Sequence, residues 1–242
     1  MVSPVETLRA LHHGRAQDDP LVLPGPWDAA SARVFQEAGY EALATPSAGI
    51  ALSLGYEDGQ VPPQEMFEAI GRIVRSVSVP VTADIEAGYG LAPKELVDRL
   101  LETGAVGCNL EDSFGGHGTG TLRDPAEQAA FLAAVREAAG DRLFVNARVD
   151  TFVRGVTDPQ DAIERARLYR EAGADCVYPI LAPAEAIPAL RAGIEGPINV
   201  VAVPGGPSPR ELGTLGATRV TFGPGLLHRA MAGLKDIAEQ LR

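Results

Sequence analysis

The segment 102–110, "ETGAVGCNL", carries the pattern that decides the fold: a helix ends, a glycine follows, and a short apolar strand begins. The same pattern recurs as "EAGYEALAT", "EAGADCVYPI" and "TLGATRVTFG" at 37–45, 171–180 and 214–223. The glycine of each repeat fits the left-handed position that closes a helix. These glycines are Gly39, Gly104, Gly173 and Gly216. Short apolar runs that alternate with helix-length segments indicate βαβ units and a parallel sheet.

Working outward from these repeats, we count eight apolar runs that predict strands. They are 21–24, 42–45, 79–83, 105–110, 143–148, 175–180, 197–202 and 219–223. The helical segments between and after them include 63–76, 93–102, 125–139, 159–172 and 225–242. Eight such units in 242 residues predict an α/β protein with a single (β/α)8 TIM-barrel domain over 21–242, preceded by an N-terminal helical segment over 1–20. A doubly wound open sheet is the alternative, but the first turn, "LPGPWDAA", lacks G-x-G-x-x-G.

Composition excludes two classes of partner. The net charge of −11 argues against nucleic acid, because neutralising phosphates requires clustered Lys and Arg. No run of about 18 apolar residues occurs, so no membrane association is expected. The two cysteines, Cys108 and Cys176, lie in apolar stretches and are interpreted as reduced core residues. The N-terminus lacks the apolar run of a signal peptide, so the expected location is cytoplasmic.

Polar side chains occur where the predicted strands end, which is the face of a TIM barrel that carries the chemistry. Asp84 and Glu86 follow the third strand, Glu111 follows the fourth, and Arg148 ends the fifth. Residues i and i+2 of a strand face the same way, so we expect Asp84 and Glu86 to converge beside Glu111. Carboxylates that crowd together repel each other, and Mg²⁺, or Mn²⁺ in its place, would relieve that repulsion. Arg148 would grip a substrate carboxylate. An internal salt-bridge network without metal is the alternative.

One further strand residue is a candidate for substrate binding. Asn199 lies on the seventh predicted strand, where its side chain would point into the barrel mouth. The alternative is that Asn199 does not touch substrate. The histidines His12, His13 and His228 lie on helical segments, so surface or core roles are expected for them rather than ligation.

Four motifs together are similar to those of a known superfamily. "PSAGIALSLGYEDGQ", "TADIEAGYG", "NLEDS" and "NARVDTF" occur in this order between about residues 24 and 227. They resemble the isocitrate lyase/phosphoenolpyruvate mutase superfamily, whose members are TIM-barrel enzymes. The chain is similar to a short, methylisocitrate lyase-like member.

The resemblance implies roles for particular residues. It implies that Asp84 is the direct Mg²⁺ ligand and that Glu86 and Glu111 reach the metal, usually through water. Asp58 of "GYEDGQ" corresponds to an acidic residue near metal and substrate, with a catalytic role. Arg148 corresponds to the arginine that contacts the substrate. The resemblance also implies a loop that holds the carboxylate and oxyanion of a 2-oxo acid; its residues are Ser47, Ala48 and Gly49.

The loop over 113–124, "SFGGHGTGTLRD", departs from the family pattern. Family lyases carry Lys-Lys-Cys-Gly-His there, with the cysteine as proton donor, and the mutases carry Lys and Asn. This loop contains neither Lys nor Cys. We therefore expect His117 to act as the proton donor, because imidazole titrates near neutral pH. A solvent-exposed loop residue without a catalytic role is the alternative.

The function implied by the resemblance is that of an Mg²⁺-dependent C–C lyase of the isocitrate/methylisocitrate lyase type. Such an enzyme cleaves a 2-hydroxy di- or tricarboxylic acid to a 2-oxo acid through a metal-stabilised enolate. Chemistry on the P–C bond of phosphonopyruvate stays open, because glycine-rich turns follow the last two strands, where TIM barrels often bind phosphate. A catalytically silent 2-oxo-acid-binding relative is the third hypothesis.

Two further expectations concern lysine chemistry and assembly. A Schiff-base aldolase needs a lysine at a strand end, and neither Lys94 nor Lys235 lies at one. The expected partners are a small-molecule carboxylate substrate and other copies of the chain, as a homo-oligomeric dimer or tetramer.

Overall fold

The computed structural model describes residues 2–114 and 120–242, and it defines ten strands and ten α-helices there. The strands are β1 Leu21–Val22, β2 Leu43–Thr45, β3 Val81–Asp84, β4 Gly107–Leu110, β5 Ser113–Phe114, β6 Thr121–Leu122, β7 Phe144–Val149, β8 Cys176–Pro179, β9 Asn199–Val201 and β10 Arg219–Thr221. The helices are α1 Pro4–Leu11, α2 Ala29–Glu37, α3 Ser47–Leu54, α4 Pro63–Val74, α5 Pro93–Glu102, α6 Pro125–Ala139, α7 Pro159–Glu171, α8 Ile187–Gly193, α9 Pro209–Leu215 and α10 Gly225–Gln240. Short 3₁₀ turns are Gly140–Arg142, Phe152–Arg154 and Ala184–Ala186.

Eight strands form the predicted parallel barrel in two sheets. One sheet has the order β2-β3-β4-β7-β8, and the other has the order β1-β10-β9. Backbone hydrogen bonds join the two sheets at both seams: Ala44 N–H donates to Pro24 O, and Val177 N–H donates to Pro197 O. The remaining strands, β5 and β6, pair antiparallel as a small hairpin outside the barrel. The α/β barrel predicted from the repeats is therefore confirmed, and its chemistry-bearing face is the carboxyl ends of the eight strands.

The helix ends follow the local sequence signals. Six of the described helices between strands carry proline in their first turn, where its missing N–H costs nothing. Gly104 and Gly173 adopt φ values of 83° and 98° directly after α5 and α7. Both values lie in the left-handed region that glycine adopts without a Cβ clash, as the repeats predict.

Helix α1 covers the amino-terminal mouth of the barrel. Its Leu8 is fully buried in a small cluster with Leu21, Leu23 and Phe144. The N-terminal segment is helical only over Pro4–Leu11, where Ser3 and Glu6 form a capping box. His12 follows the helix and stacks on Phe144 with 4.1 Å between ring centroids.

Burial of apolar residues between the strands and the surrounding helices forms the larger core. Its members include Ile70, Leu96, Leu132 and Ile163, each on the inner face of a helix. Cys108 and Cys176 are buried and unpaired, as predicted. Among the helices described, none is long and apolar enough to cross a membrane.

Candidate active site

Asp84, Asn109 and Asn146 lie side by side on three neighbouring strands. The strand register pairs Asp84 with Asn109 across β3 and β4, and Asn109 with Asn146 across β4 and β7. Asn146 Nδ2 donates to Asn109 Oδ1 over 2.8 Å, and Asn109 Nδ2 donates to Asp84 Oδ2 over 3.4 Å. The parallel register therefore places a buried carboxylate beside an amide that fixes its orientation.

The turn after β3 differs from the continuous strand expected there. The strand ends at Asp84, and Glu86 has a left-handed backbone with φ 52°. The two residues are therefore not held together by strand alternation. Instead, a hydrogen bond joins them, in which the Glu86 N–H donates to Asp84 Oδ1 over 3.1 Å. Tyr89 also has positive φ, at 56°, which is uncommon for residues other than glycine. Gly88 has φ 85°, and a Cβ there would lie 2.9 Å from Leu96, so only glycine fits.

Arg148 connects the carboxylates at the barrel mouth. Its Nη1 pairs with Glu111 and lies 4.0 Å from Asp84 Oδ2. Its Nε and Nη2 donate to the two oxygens of Asp150 over 2.6 and 3.0 Å. The arginine is only 3 % exposed, so these contacts operate with little solvent screening.

A second polar layer supports Arg148 from behind. Asp112 is fully buried and accepts the Asp150 N–H over 2.8 Å, the Tyr169 hydroxyl over 2.7 Å and an Arg165 N–H over 3.0 Å. Asp112 therefore fixes the backbone that carries Asp150.

Burial sets the ionisation of the site. It raises the pKa of Asp84 and of Glu111, while the positive charge of Arg148 opposes the rise for both groups. Burial, then the charges of Asp84 and Asp58, raises the pKa of Glu86 to about 7. Burial lowers the pKa of Arg148, but Glu111 and Asp150 more than offset this and the net shift is upward. The site is thus an acidic cluster with too little positive charge among its own residues.

The first turn of α3 faces this cluster. Ser47, Ala48 and Gly49 are its first three residues, and their N–H groups have no partner within the helix because a helix leaves its first N–H groups unpaired. A Cβ at Gly49 would lie 2.8 Å from Pro46, so the tight turn requires glycine. Ser47 Oγ donates to Asp58 Oδ1 over 3.4 Å, which joins the helix start to the Asp58 loop. Such a helix start binds anions.

A cavity of about 240 Å³ opens at this position, and its walls differ in character. The polar wall carries Ser47, Asp58, Asp84, Asn109 and Arg148. The opposite wall comes from the loops after β8, β9 and β10 and is mainly apolar. Its side chains are Ile180, Leu181, Val201, Val203, Pro204, Phe222 and Pro224, with His228 exposed at the rim. Of the described residues that line the cavity, only Arg148 carries a permanent positive charge.

The donor atoms of the polar wall fit an oxygen-liganded cation. Glu86 Oε1 is buried and has no hydrogen-bond partner in the described part of the chain. Carboxylates and amides are the donors that Mg²⁺ and Mn²⁺ accept. Within residues 2–114 and 120–242, however, no three Asp, Glu, His or Cys side chains enclose a metal position by themselves. The protein groups that would hold a cation are therefore Asp84, with Glu86 and Glu111 beside it, completed by water and substrate.

The predicted site residues fall into four groups. Those that line the cavity are Ser47, Ala48, Asp58, Asp84 and Arg148. Those that lie next to a lining residue are Gly49, Glu86 and Glu111. The candidate proton donor, His117, lies outside the described residues. Asn199 is fully buried below the cavity, where its Oδ1 accepts the Thr221 hydroxyl over 3.3 Å, and its contact with substrate stays a prediction.

Besides the apolar wall, sequence reasoning missed three polar residues that line the cavity. Tyr178 and Thr221 come from β8 and β10 and share a hydrogen bond of 3.3 Å. Their positions at strand ends were a usable signal, but neither carries a charge at neutral pH, so neither stands out beside the charged groups at the other strand ends. His228 was placed on a helical segment only; it lies in the first turn of α10, directly above the mouth.

Comparison with known proteins identifies relatives over nearly the whole chain. The family model for phosphoenolpyruvate phosphomutase matches residues 8–242. The solved structure of a phosphonomutase candidate from Burkholderia cenocepacia J2315 has 42% sequence identity and a TM-score of 0.90, and the match covers 98% of this chain and 99% of that one. An uncharacterized protein of Mycobacterium tuberculosis is 35% identical over 88% of this chain and 80% of its own length. A probable 2-methylisocitrate lyase of Corynebacterium glutamicum is 31% identical over 73% of this chain and 60% of its own length.

Proposed function

Because this chain belongs to the isocitrate lyase/phosphoenolpyruvate mutase superfamily, a group of lyases and mutases, we propose that it is an Mg²⁺-dependent C–C lyase. Its substrate would be a 2-hydroxy acid that is cleaved to a 2-oxo acid and a second carboxylate. One observation carries the proposal: the first turn of α3, the Asp84 carboxylate and the Arg148 guanidinium all face one cavity. This arrangement suits a ligand with a carboxylate and an adjacent oxygen.

Different residues of the chain bind the substrate and transfer its protons. Arg148 and the free N–H groups of Ser47, Ala48 and Gly49 bind the carboxylate and the oxygen on C2. Asp58 takes the proton from the 2-hydroxyl group as general base. The C2–C3 bond breaks, the C2 oxygen becomes a carbonyl oxygen, and the electron pair of the bond passes to C3. A proton delivered to C3 completes the second carboxylate product, so the proton removed is balanced by the proton supplied.

A divalent cation would be held by Asp84, with Glu86 and Glu111 beside it. When bound, it supplies Lewis-acid stabilisation of the charge on the C2 oxygen. The buried Glu86 Oε1, which has no partner among the residues described, supports this assignment.

The proton donor to C3 is proposed to be a histidine at the mouth. His117 is the residue expected from the sequence, and it lies outside the described residues. His228 lines the cavity from the other side, at the rim of the apolar wall. Replacing each histidine with glutamine separately assigns the role, because only the donor variant should lose turnover while it retains oxalate binding.

The two walls favour a dicarboxylate substrate over a tricarboxylate. Two cavity carboxylates, Asp58 and Asp84, face one arginine that already pairs with Glu111 and Asp150. A third substrate carboxylate would have to enter the apolar wall, where the described residues provide no permanent cation. An alkyl substituent would instead bury apolar surface against Ile180, Val203 and Phe222. We therefore propose an alkyl-substituted 2-hydroxy dicarboxylate.

Phosphonopyruvate P–C chemistry is a second candidate. Gly223 and Gly225 line the cavity at the start of α10, the region where TIM barrels often bind phosphate. The similar Burkholderia structure described as a phosphonomutase candidate also supports it. If the protein forms neither phosphate nor phosphoenolpyruvate from phosphonopyruvate, this chemistry is excluded.

The deciding experiment is a turnover screen with Mg²⁺ present. Alkyl-substituted malates, isocitrate, 2-methylisocitrate and phosphonopyruvate are offered to the unsubstituted protein and to Asp84→Ala. We expect cleavage of the malates to a 2-oxo acid, detected by NMR, and loss of that cleavage in Asp84→Ala. Oxalate binding without turnover of any compound would favour a catalytically silent relative.

Assembly and location are also proposed. We propose that copies of the chain associate through α10, because Met231, Leu234 and Ile237 form an exposed apolar stripe along it. A cytoplasmic location is supported by the reduced, buried Cys108 and Cys176.

A further inference from the structure

Arg219 is a cation buried inside the barrel. It lies on β10 with 0 % exposure, and no carboxylate of the described residues is within ion-pair distance of it. Two of its nitrogens, Nε and Nη1, are buried without a hydrogen-bond partner in the same part of the chain. Burial lowers its pKa. Burying an arginine in this way is costly, so its presence calls for a benefit elsewhere.

Among the described residues, the one hydrogen bond of the Arg219 side chain leads towards the site. Its Nη2 donates to Asn109 Oδ1 over 3.4 Å, and Asn146 Nδ2 donates to the same oxygen over 2.8 Å. Arginine has no acceptor atoms, so the Asn109 amide must present its oxygen to Arg219. The Asn109 NH₂ group then faces Asp84 Oδ2, at 3.4 Å. An acceptor-only carboxylate on one side and a donor-only guanidinium on the other fix the same orientation of the amide.

We propose that Arg219 is a positioning residue for the metal-binding carboxylate, and that it acts on Asp84 through Asn109. It does not line the cavity, so it touches neither substrate nor metal. Its charge also provides part of the positive potential that the acidic mouth lacks, because it lies below the mouth in a region that excludes water. The inference rests on the proposed metal-dependent function of Asp84.

The test measures the affinity for Mg²⁺ and oxalate by calorimetry in five proteins and one control. The five are the unsubstituted protein, Arg219→Met, Asn109→Leu, the double variant, and Arg219→Lys. Arg210→Met is the matched control, since Arg210 is 78% exposed in a surface pair with Asp18. Residues that orient a metal ligand typically change metal affinity by about 10-fold to 100-fold.

We expect each single variant to weaken Mg²⁺–oxalate binding about tenfold and the double variant to be no weaker than either, because both residues act through one chain of contacts. Arg219→Lys keeps the charge and can still donate a hydrogen bond to Asn109 Oδ1. Its affinity for Mg²⁺ and oxalate should therefore be within about threefold of that of the unsubstituted protein. Losses that add to about 100-fold in the double variant would overturn the proposal. Unchanged affinity in Arg219→Met would overturn it as well.

A second measurement separates this inference from the proposed function. If the unsubstituted protein binds no oxalate, the proposed function has failed, and the Arg219 contact is then judged from unfolding free energies alone. A double-mutant cycle between Arg219→Met and Asp84→Asn is measured by urea denaturation, with Asn109 present and with Asn109→Leu. We expect the coupling free energy between Arg219 and Asp84 to fall by at least half in the Asn109→Leu background. Equal coupling in both backgrounds would refute action through Asn109.

Discussion

Arg148 holds Glu111 with one end of its guanidinium group and Asp150 with the other, so one buried cation joins the carboxyl ends of the neighbouring strands β4 and β7. Arg148→Lys keeps the charge but loses this fork, because an ammonium cannot hold both carboxylates in the same geometry. We predict a loss of about 3 kcal/mol in the free energy of unfolding, measured by denaturation, and at least a tenfold loss of oxalate affinity.

The control for this prediction is Arg99→Lys. Arg99 forms an exposed pair with Glu95 on α5, and such pairs contribute about 0.5 kcal/mol. A loss in Arg148→Lys no larger than in this control would contradict the structural role of Arg148.

The apolar wall predicts substrate preference. Val203 is 46% exposed at the rim of the cavity, so arginine there adds a cation without disturbing a buried core. We expect the unsubstituted protein to prefer a 2-alkylmalate to 2-methylisocitrate by about tenfold or more in kcat/KM. Val203→Arg should narrow or reverse that ratio. Val34→Arg, on the outer face of α2, serves as the control; a preference for the tricarboxylate in unsubstituted protein would refute the assignment of the wall.

His12 predicts how stability depends on pH. Burial, then the charge of Arg219, lowers its pKa to about 3, while its Nδ1 lies 2.7 Å from Leu8 O and its ring stacks on Phe144. The unfolded chain therefore binds a proton that the folded chain does not between pH 6.5 and about 3. The contribution of His12 to the free energy of unfolding is complete above pH 6.5. It falls with decreasing pH through this window, by up to about 1.4 kcal/mol per pH unit.

Denaturation of His12→Gln between pH 7 and pH 4.5 checks this expectation. The slope of unfolding free energy against pH should be shallower by up to about one proton than in the unsubstituted protein. His13→Gln, at the adjacent exposed position, should keep the original slope. Equal slopes in His12→Gln and the unsubstituted protein would show that His12 is not held neutral.

Helix α10 predicts the assembly state. Leu234 and Ile237 are 55% and 53% exposed on one face of this helix. Leu234→Glu should lower the mass measured by light scattering, because a charge cannot be buried in an apolar contact between copies. Leu168→Glu on α7 is the comparison variant. A monomeric unsubstituted protein, or an unchanged mass in Leu234→Glu, would contradict association through α10.

The sequence predicted the barrel and the polar wall for the same physical reason. Parallel strands place their carboxyl ends at one face, so Asp84, Glu111 and Arg148 had to approach one another once the strands were counted. Asp84 stands in register with Asn109, the last residue but one of the predicted strand 105–110.

Other features depend on information that a linear pattern does not contain. The left-handed backbone of Glu86 follows from the turn's tertiary environment, because glutamate has no preference for that conformation. The apolar wall is assembled from three loops far apart in the chain, near Leu181, Val203 and Phe222. In the sequence, Arg219 is an ordinary strand residue. Only the structure shows that it is buried and that two of its nitrogens have no hydrogen-bond partner among the described residues.

The most direct test of the central claim is calorimetric titration of Mg²⁺ in the presence of oxalate, which imitates the charge and chelating geometry of a 2-oxo acid's enolate. The unsubstituted protein is compared with Asp84→Ala and with Asp98→Ala, an exposed carboxylate of α5 paired with Lys94. We predict metal-dependent oxalate binding in the unsubstituted protein and in Asp98→Ala, and its loss in Asp84→Ala. Absence of binding in all three proteins would mean that the carboxylates form only an internal network with Arg148, and it would contradict the lyase assignment.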